Sequence, residues 1–180
     1  SDSYEVTGLG YASEGQIEQE GRPISLEDNE LLNRLVRFSH LARNAQVVAP
    51  SADNPNFTIL GDPTEACLNV LAEKAGINLN DNHIWAPRIK EIPFDSDRKR
   101  MTTVHKLEAG LDGSHHISIT KGAPKEVMEL CSDYYDNQGM IKSLTATERQ
   151  AILAANDKFA RDGLRVLAVA YRPLDSEHIG

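Results

Sequence analysis

Apolar residues recur along this chain with two different periods, and the switches between them mark where strands give way to helices. Leu31, Leu32, Leu35, Val36, Phe38, Leu41 and Ala42 recur every three to four positions, predicting a helix from about Asn29 to Asn44 with one buried face. Ser25, three residues before Asp28, supplies a capping-box arrangement at its approach. A second helix is predicted after Asp62, the N-cap, with Pro63 at the first helical position and Glu65 three residues past the cap. Leu68, Val70, Leu71 and Ala75 give its buried face, and Gly76 its stop. Thr145 with Glu148 opens a third helix that runs to about Arg161, with Ile152, Leu153, Ala155 and Phe159 on the apolar side. Period-two alternation appears at Ile117-Ser118-Ile119-Thr120, a strand ending at Lys121 that turns at Gly122-Ala123 into a helix started by Pro124 and carrying Val127, Met128, Leu130 and Cys131. Met101 and Thr103 alternate in the same way after a turn over Asp95 to Arg98.

Shorter signals fill the gaps. Tyr4 to Tyr11 reads as a strand broken by glycines, and Phe57 to Leu60 as a short strand. Ala49 to Asn56 and Asn78 to Asn82 read as loops, and Asp133 to Gly139 as a turn. Leu164 to Tyr171 is apolar nearly throughout, which predicts a central strand. Trp85 either packs on the core or covers a cleft edge.

Composition narrows the class. A chain of 180 residues, 40% hydrophobic and 26% charged, suits one well-cored domain. No linker or repeat divides it. No run approaches the ~20 apolar residues of a membrane-spanning helix, and the N-terminus has neither the basic nor the apolar part of a signal peptide. The formal charge of −8 argues against nucleic acid or anionic lipid as a partner. Cys67 and Cys131 fall on apolar helical faces and read as buried free thiols. The six histidines show no metal spacing: His115 and His116 are adjacent on a strand and point to opposite faces, and the others are isolated.

Several residues admit both a structural and a chemical reading. Lys121 is either a solvated lysine in a strand-to-helix turn or a cation at the rim of a sheet, beside a glycine that lets a flat ligand approach. Glu65 either closes a capping box or accepts a hydrogen bond from the amino group of a base. Phe94 either joins the core or offers a face for stacking. Arg98, Lys99 and Arg100 surround a turn, with Lys99 a point charge suited to phosphate and the two arginines expected on the opposite face. Arg165, at the mouth of an apolar strand, is costly unless it reaches water or an anion.

Asp62-Pro63-Thr64-Glu65, Phe94 through Met101, Lys121-Gly122-Ala123-Pro124 and Asp162-Gly163-Leu164-Arg165-Val166-Leu167-Ala168 together resemble, in order and spacing, the motifs of the nucleotide-binding domain of P-type cation-transporting ATPases. The calcium and cation branch is the most similar. The resemblance spans essentially the whole chain and implies an α+β fold, a mostly antiparallel twisted sheet flanked by helices, forming a single domain over 1–180 cut from a larger membrane transporter. It implies that ATP is bound, with Glu65 on the adenine amino group, Phe94 stacked on the ring, Lys121 lining the pocket and Gly122 keeping its floor open. Lys99 would lie near the phosphates and Arg165 would bridge to their oxygens. Mg²⁺ would be held mostly outside this domain in the full-length enzyme. The implied partners are the phosphorylation and actuator domains of the same parent chain, on the cytoplasmic side of a membrane that this domain does not itself touch. The phosphorylated Asp-Lys-Thr-Gly-Thr sequence is absent, so the chain alone should not turn over. One departure is visible: Lys125 stands where the family usually has Glu. The alternative class is a free-standing nucleotide-sensing or protein-interaction module; a self-sufficient hydrolase would need a nucleophile and base that this sequence does not offer.

Overall fold

The computed structural model describes residues 3–78 and 86–175, so Trp85 and most of the loop predicted after Asn78 lie outside the described residues. The chain divides into two compact units, Ser1–Ile84 and Trp85–Gly180. Among the described residues all strand pairings are antiparallel, and helices accompany the sheets in both units, giving the α+β class expected from the sequence.

In the first unit, β1 (Glu5–Val6), β2 (Ile17–Gln19) and β3 (Arg22–Pro23) form a small meander. Only the first of these was signalled in the sequence, because runs of two or three residues are too short for alternation to show. The predicted long helix starts within a residue of the expected Asn29, but its entry is not a capping box. Ser25 instead caps a 3₁₀ turn, Leu26–Asp28, through the Glu27 N–H. Asn29 caps the α-helix proper, α1 (Glu30–Leu41), by accepting from the Leu32 N–H. Leu32, Val36, Phe38 and Leu41 are buried as expected, whereas Leu35 is exposed. Ile17, Leu32, Val36, Ala72 and Ile77 form the core of this unit. β4 (Gln46–Val48) pairs with β5 (Thr58–Leu60), and α2 (Pro63–Lys74) follows. Asp62 caps α2 through the Thr64 N–H at 2.6 Å, with Pro63 in its first turn. Cys67 corrects the buried-thiol expectation: it is exposed, its Sγ donating to the Thr64 carbonyl.

The second unit is built on a four-stranded sheet in the order β11-β8-β7-β6, comprising β6 (Arg88–Asp95), β7 (Arg100–Leu111), β8 (Ser114–Gly122) and β11 (Ala168–Leu174). Cross-strand partners on an antiparallel pair share a face. One face is therefore read rung by rung: Met101, Lys121 and Val169; Thr103, Ile119 and Tyr171; His105, Ile117 and Pro173. Met101, Thr103, His105, Ile117, Ile119 and Lys121 are all buried. His105 is satisfied there. Its Nδ1 lies 2.9 Å from the Ala86 carbonyl, which can only accept, so the proton sits on Nδ1 and Nε2 accepts from the Thr103 hydroxyl at 2.9 Å.

The central strand predicted at Leu164–Tyr171 begins at Ala168 and lies at the sheet edge. Continuous apolar character reflected packing against one neighbour and one layer, not burial on both sides. The turn predicted at Asp133 to Gly139 is a hairpin, β9 (Asp133–Tyr135) with β10 (Ile141–Ser143), whose bend is held by Asp136 Oδ1 accepting from Gln138 and Met140 N–H. Tyr135 stacks on Tyr171 at 6.3 Å, fastening the hairpin to the edge strand, and the Tyr171 hydroxyl donates at 2.6 Å to Asp112 in the turn between β7 and β8.

The helix after Pro124 is only five residues long, α3 (Pro124–Met128), so Cys131 lies beyond it and is partly buried. α4 (Ala146–Arg161) keeps its predicted length but buries none of its residues, and Ile152 and Phe159 stay exposed. Thr145 donates to the Glu148 carboxylate and makes no side-chain cap. What holds the start of α4 is Arg149, whose guanidinium donates to the Met128 and Cys131 carbonyls at 2.5 and 2.6 Å.

Candidate functional site

Four of the six residues singled out from the sequence, Phe94, Lys99, Lys121 and Gly122, gather around one end of the four-stranded sheet, and Arg165 lies on the segment that leads into its edge strand. Asp95 pairs with Arg100, Arg100 with Gly122 and Gly122 with Ala168, so a single row crosses all four strands. Phe94 stands immediately before that row, in a stretch where the β6–β7 register shifts. It is 62% exposed, which rules out the core alternative and leaves an aromatic face open to solvent.

Lys99 occupies the turn between β6 and β7 with φ +50°, a left-handed conformation uncommon for a residue with a side chain. The turn is fixed on both sides. Asp95 Oδ1 accepts from the Asp97 and Arg98 N–H groups, and the Asp95 carbonyl accepts from Lys99 N–H at 2.7 Å. On the other side, Ala123 N–H donates to the Lys99 carbonyl at 3.0 Å. The strand-like alternation expected for Arg98, Lys99 and Arg100 is lost because the backbone reverses here. Arg98 donates to the Pro93 carbonyl and Arg100 to the Arg98 carbonyl, while Lys99 Nζ forms an ion pair with Glu126 Oε1 at 3.1 Å. That contact, with a direct hydrogen bond as its largest part, holds the Glu126 carboxyl below its ordinary range.

Gly122 is explained by its neighbours. A Cβ on it would lie 2.3 Å from the Lys99 carbonyl oxygen and 2.7 Å from Arg100 Cα. The missing side chain thus lets the cationic turn seat directly on the strand end, a close approach of protein backbone at the position where sequence reasoning placed a ligand. Lys121, expected at a solvated rim, is instead 4% exposed, on the same face as Met101, Ile119 and Ile117. An ammonium is costly to bury without compensation, so its position is a specific feature of this sheet end. Arg165 lies outside the strand, three residues ahead of Ala168, and is exposed. The helix before it is closed by Gly163 at φ +78°, with Leu164 N–H donating to the Phe159 carbonyl and Gly163 N–H to that of Ala160. That cap turns the chain from α4 toward the sheet and passes it through Arg165.

Glu65, the sixth residue, belongs to the first unit. Its carboxylate bridges to a neighbouring segment. Oε2 accepts from Asn44 N–H at 2.8 Å and Ala45 N–H at 3.2 Å, tying α2 to the segment that follows α1. Asn69, one turn further along α2, donates to the Ala45 carbonyl at 3.2 Å, as does Arg43 at 2.9 Å. Asn69 and Glu126 are the partners that sequence reasoning missed. Each contacts a residue distant in sequence, so no local pattern announces it.

The sequence model described as "P-type ATPase, cytoplasmic domain N" matches residues 31–179. The chain belongs to this family. A "Probable cation-transporting ATPase F" of Mycobacterium bovis is 31% identical to this family member over 164 residues, covering 91% of this chain and 17% of the relative. A "Calcium-transporting ATPase" of Bacillus subtilis is 33% identical over 174 residues, covering 96% and 18%. A mouse "Calcium-transporting ATPase type 2C member 2" is 36% identical, covering 94% and 17%. This N domain therefore spans about a sixth of the length of the curated relatives it matches. Among the described residues, no helix is long and apolar enough to cross a membrane.

Proposed function

We propose that this chain binds ATP and presents it to the phosphorylation domain of a P-type cation-transporting ATPase, with calcium or a related cation as the transported ion. In this reading 1–180 acts as one nucleotide-binding domain on the cytoplasmic side of the membrane. Phe94 stacks on adenine, Glu65 accepts from its amino group and Lys121 lines the pocket, while Gly122 seats the Lys99 turn on the end of the sheet. Lys99 and Arg165 meet the phosphates. The residue that becomes phosphorylated, most of the Mg²⁺ site and the actuator domain belong to other parts of the parent chain. What this domain contributes is orientation of the base and placement of the γ-phosphate.

The observation that carries the reading is the exposed Phe94 ring at the same sheet end as the Lys99 turn and Gly122. Stacking of a base on an aromatic side chain contributes about 1–3 kcal/mol. Phe94→Ala should therefore weaken ATP binding by about five- to 150-fold, read by calorimetric titration, while leaving the unfolding midpoint nearly unchanged. Chemical shifts at Glu65, Phe94, Lys121 and Arg165 should move as ATP is added to the unmodified chain. Millimolar ATP that perturbs none of them would end the proposal.

A further inference from the structure

Lys99 does not stand alone on its turn. Its backbone is held by Asp95 and by Ala123, which limits where the ammonium can go. One turn beyond Ala123, Glu126 places a carboxylate oxygen 3.1 Å from Nζ. The two side chains differ in access: Lys99 is 58% exposed and Glu126 20%. The cation remains reachable from solvent while its partner lies closer to the protein. Glu126 stays ionised at neutral pH, because the Lys99 hydrogen bond favours its charged form.

We propose that Glu126 is an internal competitor for the Lys99 ammonium, a carboxylate that a polyphosphate must displace before it can be held there. The proposal rests on the nucleotide-binding reading above, which assigns Lys99 to the phosphates. Two anions and one point-charge cation make the exchange direct. An ion pair with one partner this exposed shifts an equilibrium by no more than about fivefold. It therefore acts as a brake that ATP overcomes, setting affinity without abolishing binding. It also discriminates by charge: adenosine, which carries no phosphate, has nothing to exchange with Glu126.

The test compares the unmodified chain with Glu126→Gln in titrations with ATP and with adenosine. Glu126→Gln should bind ATP about two- to fivefold more tightly and adenosine equally well. In a Lys99→Met background the same substitution should give no gain, since the competition runs through the ammonium. Lys99 itself should react faster with an amine-acylating reagent in Glu126→Gln than in the unmodified chain, a readout that needs no nucleotide. If the unmodified chain binds ATP but Glu126→Gln binds it no better, the competition is absent although the nucleotide reading survives. A gain that persists in Lys99→Met would reduce Glu126 to general repulsion and overturn the proposal. If the unmodified chain binds neither ATP nor adenosine, the nucleotide reading falls and takes this one with it.

Discussion

Removing the Glu65 carboxylate should destabilise the first unit, quite apart from any effect on a ligand. Ala45 is fully buried and has little freedom to adjust. Its carbonyl is held by Asn69 and Arg43, and Gly61 lies so near that an added Cβ would sit 3.0 Å from Ala45 Cα. In Glu65→Ala the segment therefore stays in place while the Ala45 N–H loses its acceptor. A buried donor left without a partner costs about 1–3 kcal/mol. Asn44 is exposed, so water can replace the carboxylate on its N–H at little cost. The expected loss is about 2 kcal/mol. Glu65→Gln keeps an oxygen acceptor and gives up only the charge; bonds to charged groups exceed neutral ones by about 1 kcal/mol, so about half the loss should return. Urea unfolding followed by circular dichroism measures both, and amide exchange at Ala45 reports the local event. A Glu65→Ala chain within about 0.3 kcal/mol of the unmodified one, with the Ala45 amide still protected, would show that the carboxylate does not organise this segment.

Other predictions concern the second unit. Gly122→Ala should break the Ala123–Lys99 hydrogen bond and cost about 1–3 kcal/mol, as overpacking against backbone does, with loss of amide protection at Ala123; unchanged protection would mean that the turn can yield. Burial, with a smaller push from Arg88, lowers the His105 pKa against the opposing pull of the Ala86 carbonyl. The unfolded chain then takes up the proton first. Stability should hold above the ordinary value of 6.5 and decline as pH falls below it, and His105→Gln should flatten that slope in denaturant titrations between pH 7 and 5. Tyr171→Phe removes a hydroxyl bonded to Asp112 and Tyr135; the expected loss is about 1–2 kcal/mol, seen as a lower urea midpoint.

The parts of the fold that the sequence disclosed are those with local causes. Asp62, Pro63 and Gly76 bracket α2 within a residue or two because caps act on neighbouring amides. The Ile117–Lys121 strand was visible because alternation sustained over several residues has no helical equivalent. What stayed hidden depended on distant partners. Strands as short as β4 and β9 are fixed by the strand opposite and not by their own composition. The edge position of β11 could not be told from a central one by apolar content alone. At the site, Phe94 and Lys121 exchanged the environments that ordinary partition would give them, the ring outward and the ammonium inward. Reading either residue by its polarity would have pointed the wrong way.

The left-handed backbone at Lys99 carries an implication for how this domain balances competing demands. Glycine would hold that geometry more cheaply, by about 1 kcal/mol. A lysine there leaves the loop less secure than it could be, in return for a positive charge at its tip. A search for thermostable variants that favoured glycine at residue 99 would ease the backbone while erasing the ammonium and its ion pair with Glu126, and with them the phosphate contact proposed above.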